Sequence, residues 1–221
     1  MSSSPTGQTS TTGSSTCSRF PADRVAVIAC GALARDILDI VARHGGAADV
    51  YPLPPLLHNR PERIAAAVEA MVAELTGRYG RIAIAYADCG TYGALDEVCA
   101  RRGLQRLPGL HCYDLYAGPS RIRELFDEEP GTYLLTDFLV ASFDRTVIQE
   151  LGLDRYPELR DTYFANYTRV VWLATHPTPE LTELAERAAS CLGLPLSVVD
   201  GRLDRLTKAI TGVLASSHLS A

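Results

Sequence analysis

Residues 82–90 read Ile-Ala-Ile-Ala-Tyr-Ala-Asp-Cys-Gly, and the fold turns on how this stretch is read. An apolar run stops abruptly at a cysteine and a glycine. With no polar alternation, the run suits a strand buried on both faces, as in a parallel sheet. The pattern recurs in the chain. Residues 25–31 are Val-Ala-Val-Ile-Ala-Cys-Gly, residues 107–112 are Leu-Pro-Gly-Leu-His-Cys, and residues 50–58 are Val-Tyr-Pro-Leu-Pro-Pro-Leu-Leu-His. Each of these four candidate strands delivers a cysteine or histidine just past its carboxyl end. In an open parallel α/β sheet those ends share one edge, and that edge is where such folds bind ligands. Cys30, His58, Cys89 and Cys112 are therefore expected to converge on one site.

Outward from these strands, helical spacing alternates with further apolar runs. Residues 31–44 read as a helix closed by Gly45 and Gly46. Pro52 weakens the second strand, and residues 53–57 should be an extended loop. Pro61 fits the first position of a helix that runs to about Thr76. Residues 92–102 form the next helix, residues 107–110 a short strand, and residues 119–126 a helix. A strand over residues 131–137, helices over 138–151 and 156–167, and a strand over 170–174 follow. A helix over 179–192, a strand over 196–199 and a helix over 203–214 complete the pattern. Strand–helix alternation predicts the α/β class, as one doubly wound, mostly parallel sheet with helices on both faces. Asp137, His176 and Asp200 also follow strands, which hints at two similar halves without a sequence repeat.

The composition allows one such domain, expected over residues 23–216, after a disordered tail over residues 1–22 rich in Ser, Thr and Gly. Of the 221 residues, 47% are hydrophobic, enough for a real core. A net charge of −5 and the lack of a basic, aromatic-laced patch argue against nucleic acid as a partner. No apolar run approaches the roughly 18–20 residues of a membrane span, and the amino-terminal residues lack the apolar core of a secretory signal. The expected location is cytoplasmic, where the six cysteines serve as thiols, ligands or catalytic groups rather than disulfides. Cys17 lies in the tail. Cys99 and Cys191, on helices, are expected to be small buried hydrophobes.

Three thiolates and an imidazole form a familiar set for tetrahedral zinc, and soft donors also suit an iron–sulfur cluster. The local CxxC signature is absent, so the fold must do the gathering. Gly31 and Gly90, just after two of the cysteines, would let backbone approach a bound group closely and so count as cofactor-binding candidates. His111 is the alternative to His58 as fourth ligand. Asp88 and Asp137 could act as bases or ligand-supporting groups, with helix capping the plainer role. Tyr86, Tyr92, Tyr113 and Tyr133 could line the edge. Asp137 and Tyr113 are the catalytic candidates. No glycine-rich nucleotide loop is present, which argues against a dinucleotide or ATP site.

Several short motifs carry a family resemblance. They are Ala29-Cys30-Gly31, Leu57-His58-Asn59-Arg60-Pro61-Glu62, Tyr86 with Cys89-Gly90, Gly109 with His111-Cys112, and Gly131-Thr-Tyr-Leu-Leu-Thr-Asp-Phe138. Over about residues 25–210 the chain resembles a bacterial and archaeal family, domain of unknown function 1638. Asp88 departs from the glycine-richer form of that family before the cysteine. The resemblance implies genes beside corrinoid-dependent methyltransferases, and so a role in methylamine-type one-carbon metabolism. The expectation is a zinc-dependent methyl- or thiol-group transferase acting on a small molecule. The alternative is an accessory protein carrying a metal, an iron–sulfur cluster or a corrinoid for a partner corrinoid protein or methyltransferase.

Overall fold

Parallel pairing organises residues 24–216, which are the residues described by the computed structural model. The strands are β1 (Val25–Cys30), β2 (Ala48–Leu53), β3 (Arg81–Ala85), β4 (Thr132–Thr136), β5 (Arg169–Ala174) and β6 (Leu196–Asp200). The α/β class is as expected, with every strand pair parallel. The single sheet is corrected: the strands form two three-stranded sheets, ordered β2-β1-β3 and β4-β5-β6.

The reason lies beside β3. The expected strand over residues 107–110 does not form. Arg106 makes one isolated bridge to Ile84, and the chain then follows β3 loosely. Pro108 has no donor for a ladder, and Gly109 turns the chain at φ 102°. The first sheet ends there.

The central strand of each sheet, β1 and β5, is buried almost throughout as its apolar run requires. Every residue of β1 is buried. In β5, Val170, Trp172 and Ala174 join one core, while Val171 and Leu173 join another. The helices are α1 (Ala34–Arg43), α2 (Ile64–Leu75), α3 (Ala94–Arg102), α4 (Tyr113–Ala117) and α5 (Pro119–Glu128), then α6 (Asp137–Ala141), α7 (Arg160–Tyr163), α8 (Pro179–Leu192) and α9 (Asp204–Ser216). α2 packs with α3 and with β1 and β3, and α8 packs on β5 and β6. α9 follows β6 in sequence yet packs on β3, α1 and α4, tying the end of the chain to the first sheet.

Three segments depart from the expected elements. Residues 138–151 are not one helix: α6 ends early and a π-helical turn spans Asp144–Gln149. Ser142 Oγ donates to the Phe138 carbonyl at 2.6 Å and Thr146 Oγ1 to the Ser142 carbonyl at 2.9 Å. Such back-bonding loosens the regular helical ladder. Residues 156–167 hold only a 3₁₀ turn and the single turn of α7. The proline-rich stretch after β2 forms a 3₁₀ turn, Pro55–Asn59, that carries His58. No helix among the described residues is long and apolar enough to cross a membrane. The tail expected over residues 1–22, and Cys17 with it, lies outside the described residues.

Candidate metal centre

Four segments meet at the carboxyl edge of the first sheet: three leave the ends of β1, β2 and β3, and the fourth is the strandless path over residues 106–112. Cys30 is the last residue of β1. His58 reaches it because the chain leaving β2 crosses directly over Gly31. A Cβ on Gly31 would stand 2.9 Å from the Pro55 nitrogen and would also collide with the Leu53 carbonyl. Gly31 thus makes room for the backbone of this chain, not for a bound cofactor.

Cys89 and Cys112 are brought together by the loose path beside β3. The Asp88 N–H donates to the Gly109 carbonyl at 3.2 Å, and the Cys89 N–H to the Leu110 carbonyl at 2.8 Å. Asp114 then fixes the turn, accepting from the N–H groups of Leu110 and His111 at 2.8 and 3.2 Å. This role of Asp114 escaped the sequence reading. Cys89 itself has a left-handed backbone, φ 51°, followed by Gly90 at φ 82°. A non-glycine residue rarely adopts that conformation and costs of order 1–3 kcal/mol there. Gly90 supplies this turn and sits against Pro61, 3.3 Å from where its Cβ would be.

The donor atoms are close. Cys30 Sγ lies 3.7 Å from His58 Nε2 and 3.9 Å from Cys112 Sγ, and Cys112 Sγ lies 3.8 Å from His58 Nε2. The donor atoms of Cys30, His58 and Cys112 all fall within 4.8 Å of one another, a group able to hold a metal ion. Cys89 Sγ lies 3.2 Å from Cys112 Sγ. His58 Nδ1 is 3.1 Å from the Pro55 carbonyl. A carbonyl only accepts, so Nδ1 carries a proton and Nε2 is the nitrogen turned to the sulfurs, the orientation a metal-binding histidine needs. His111 is exposed and lies outside this group.

Charge is unevenly shared. Burial opposes ionisation of Cys30, yet contacts with Cys112 and His58 hold its pKa well below the usual thiol range. Its contact with Cys112, together with His58, brings the Cys89 thiol down to about 6 against the effect of burial. Contacts with those two sulfurs, and then burial, push Cys112 well above the usual range. Burial would lower His58, but the thiols of Cys30 and Cys89 raise it to about 11. The metal-free cluster can therefore carry two thiolates and an imidazolium, with the third thiol protonated. A dication in their midst would let all three sulfurs ionise.

Tyr86 lies against this centre. Its ring stacks on His58, with centroids 6.2 Å apart and planes 15° apart. The residue is fully buried, and its hydroxyl has no hydrogen-bond partner among the described residues. Burial and the charges of Cys30, Cys112 and Cys89 push its phenol pKa up.

The cluster opens into a cavity of about 420 Å³, lined by Cys89, Cys112 and His58. Tyr113 and Tyr133 line the same cavity, as the sequence suggests for both; Tyr92 is instead 95% exposed. Leu33, Tyr116, Phe138 and the π-helical residues Thr146 and Val147 also line it. These escaped the sequence reading, because they come from segments far apart in the chain that only the fold brings to one cavity.

Asp137 stands elsewhere. Its carboxylate accepts from Trp172 Nε1 at 2.8 Å, Thr175 Oγ1 at 2.7 Å and the His176 N–H at 2.7 Å. It ties the ends of β4 and β5 together and does not line the cavity. Asp88 likewise caps its own loop, accepting from Thr91 Oγ1 at 2.8 Å and the Gly93 N–H at 3.1 Å. Burial pushes the Cys99 thiol up to about 11, which suits an inert packing thiol. Cys191 is exposed, not buried as expected.

No curated protein and no solved structure is similar enough to this chain to count as a match. A family model does match, over residues 52–210, a span that holds His58, Cys89 and Cys112 and begins after Cys30. By that match the chain belongs to the family described as protein of unknown function (DUF1638).

Proposed function

We propose that Cys30, His58, Cys89 and Cys112 hold a metal ion, zinc by preference, and that the protein is a metal-dependent methyl- or thiol-group transferase. One observation carries the reading: the donor spacing fits an ion. Tetrahedral zinc with bonds of about 2.3 Å to sulfur and 2.0–2.1 Å to nitrogen sets sulfurs about 3.8 Å apart, and sulfur and nitrogen about 3.6 Å apart. The three separations among Cys30, His58 and Cys112 are 3.7, 3.8 and 3.9 Å. The orphaned Tyr86 hydroxyl supports the same reading, since a thiolate drawn onto an ion would give it an acceptor.

Opening into a cavity favours a working centre over a structural staple. The methyl-transfer part of the reading rests on the gene neighbourhood that the family resemblance implies. A small-molecule substrate would enter the cavity and meet the metal there. An accessory role, carrying an iron–sulfur cluster or a corrinoid for a partner methyltransferase, is favoured by a different fact. Among the described residues no carboxylate lines the cavity to act as a base.

Elemental analysis and an absorption spectrum of anaerobically purified protein test the proposal. About one zinc ion per chain and a colourless protein are expected. Cys30→Ala, His58→Ala and Cys112→Ala should each lose the metal. A brown or red protein would replace the transferase with the carrier. A wild-type chain that retains no metal under these conditions and takes none up on reconstitution would remove the basis for both.

A further inference from the structure

We propose that Cys89 is the exchangeable member of the centre, and that the cavity delivers a thiol-bearing small molecule without an anionic group to take its place on the metal. This inference rests on the metal-site reading above. Three observations on separate atoms carry it.

First, Cys89 differs from its neighbours in position. The Cys30, His58 and Cys112 donors already have tetrahedral spacing. Cys89 Sγ is 3.2 Å from Cys112 Sγ, shorter than the roughly 3.8 Å edge that two sulfurs on one zinc require. Cys89 therefore sits off the fourth corner and must move to occupy it. Cys30, in contrast, is the end of a fully buried strand and does not line the cavity.

Second, Cys89 stands on a segment that stores strain. Its φ of 51° precedes Gly90 at 82°, and Tyr92 follows at 50°. Two left-handed non-glycine residues within four positions mark a loop over-determined by its surroundings. Asp88 anchors one side of it through Thr91 and Gly93. A small rotation there would swing the Cys89 sulfur without disturbing β3.

Third, the cavity describes its ligand. It is lined by Cys89, Cys112, His58, His111, tyrosines, a few neutral polar side chains such as Asn59 and Thr146, and apolar side chains, with no Lys, Arg, Asp or Glu among the described residues that line it. A phosphate or carboxylate would be desolvated there beside a centre that is already anionic, since three thiolates outweigh one dication. Its 420 Å³ falls in the ~300–1,000 Å³ range of small-molecule sites. A thiolate-rich metal selects soft donors, and sulfur is the soft donor of small neutral molecules.

The exchange balances without another reactant. The incoming thiol gives up its S–H proton as its sulfur bonds the metal. The Cys89–metal bond breaks, and the departing Cys89 sulfur takes that proton. One thiolate replaces another, the charge of the centre is unchanged, and no electron is transferred. The product is a metal-bound thiolate nucleophile facing the cavity.

Cobalt(II) substituted for zinc gives the test, because sulfur-to-cobalt charge-transfer absorption counts the thiolates on the ion. Titrating wild-type cobalt protein with 2-mercaptoethanol should change that absorption saturably. Mercaptoacetate, which brings a carboxylate, should bind at least about tenfold more weakly. Cys89→Ala should still take up cobalt but lose about a third of the thiolate absorption, and 2-mercaptoethanol should restore it. Cys30→Ala should not retain the ion. A wild-type spectrum indifferent to 2-mercaptoethanol would overturn the exchange, whatever the variant does. So would a folded Cys89→Ala protein that loses cobalt as fully as Cys30→Ala. A wild-type protein that binds no cobalt or zinc would sink the metal-site reading itself, a distinguishable failure.

Discussion

The Tyr86 hydroxyl is a single atom whose energy should change sign with the metal. Buried and without a partner, it forfeits its bonds to water and gains nothing among the described residues. An unsatisfied buried hydroxyl costs about 1–3 kcal/mol. Tyr86→Phe removes that cost and keeps the stacking on His58. In metal-free protein the variant should therefore unfold in urea at the wild-type midpoint or slightly above it. With zinc the order reverses. A metal-bound thiolate is an acceptor that the phenol can serve, and losing such an outer donor typically weakens metal affinity about 10–100-fold. Competition with a chromophoric chelator measures this. A variant that is weaker in urea without metal, and equal to wild type in zinc affinity, would place the hydroxyl outside the reach of the centre.

At the scale of elements, the centre depends on one crossing. The chain leaving β2 can pass over the end of β1 only because Gly31 lacks a Cβ. Gly31→Ala would drive a methyl into the Leu53 carbonyl and the Pro55 ring, at a cost of about 1–3 kcal/mol. The displaced 3₁₀ turn carries His58, so zinc affinity should fall along with the urea midpoint. A variant destabilised but unchanged in zinc affinity would show that His58 is placed by something else. The strands that meet here were legible in the sequence, because a run apolar at every position has few homes but a sheet buried on both faces. Cys30 was legible for the same reason, since the run ends where β1 ends, and Cys89 follows β3 after only a short loop. The path of residues 106–112 was not, since a chain with one isolated bridge to β3 and two bonds to the loop after it has no period to read. The break in the helix after Phe138 depends on where the Ser142 and Thr146 hydroxyls turn. The tie between Asp137 and Trp172 joins residues far apart in the chain. Spacing alone reports neither, and so the sequence cast Asp137 as catalytic.

For the molecule as a whole, stability and chemistry lie at opposite ends of the strands. The soft donors gather at the carboxyl ends of β1 and β3, while an ion-pair lock holds the amino ends. Arg24, just before β1, meets both oxygens of Asp49 in β2 at 2.6 and 2.9 Å. It also donates to the carbonyls of Gly46 and Ala48, each at 2.8 Å. Tyr79, before β3, donates to Asp49 at 2.8 Å. The Arg24 guanidinium, aided by Tyr79, holds the Asp49 carboxyl below the ordinary carboxylate range against a smaller effect of burial. A carboxyl lowered on folding adds stability that is fully present above its unfolded pKa, about 3.9. That stability is lost as the pH falls through the folded value. Asp49→Asn should therefore lower the urea midpoint at pH 7, and the difference from wild type should shrink progressively as the pH drops below about 4. Metal uptake at pH 7 should be untouched, because the lock lies at the far end of the sheet from Cys30 and Cys89. A midpoint difference as large at pH 3 as at pH 7 would show that the lock acts through packing rather than charge. A loss of metal in the same variant would show that the two ends of the sheet are not independent.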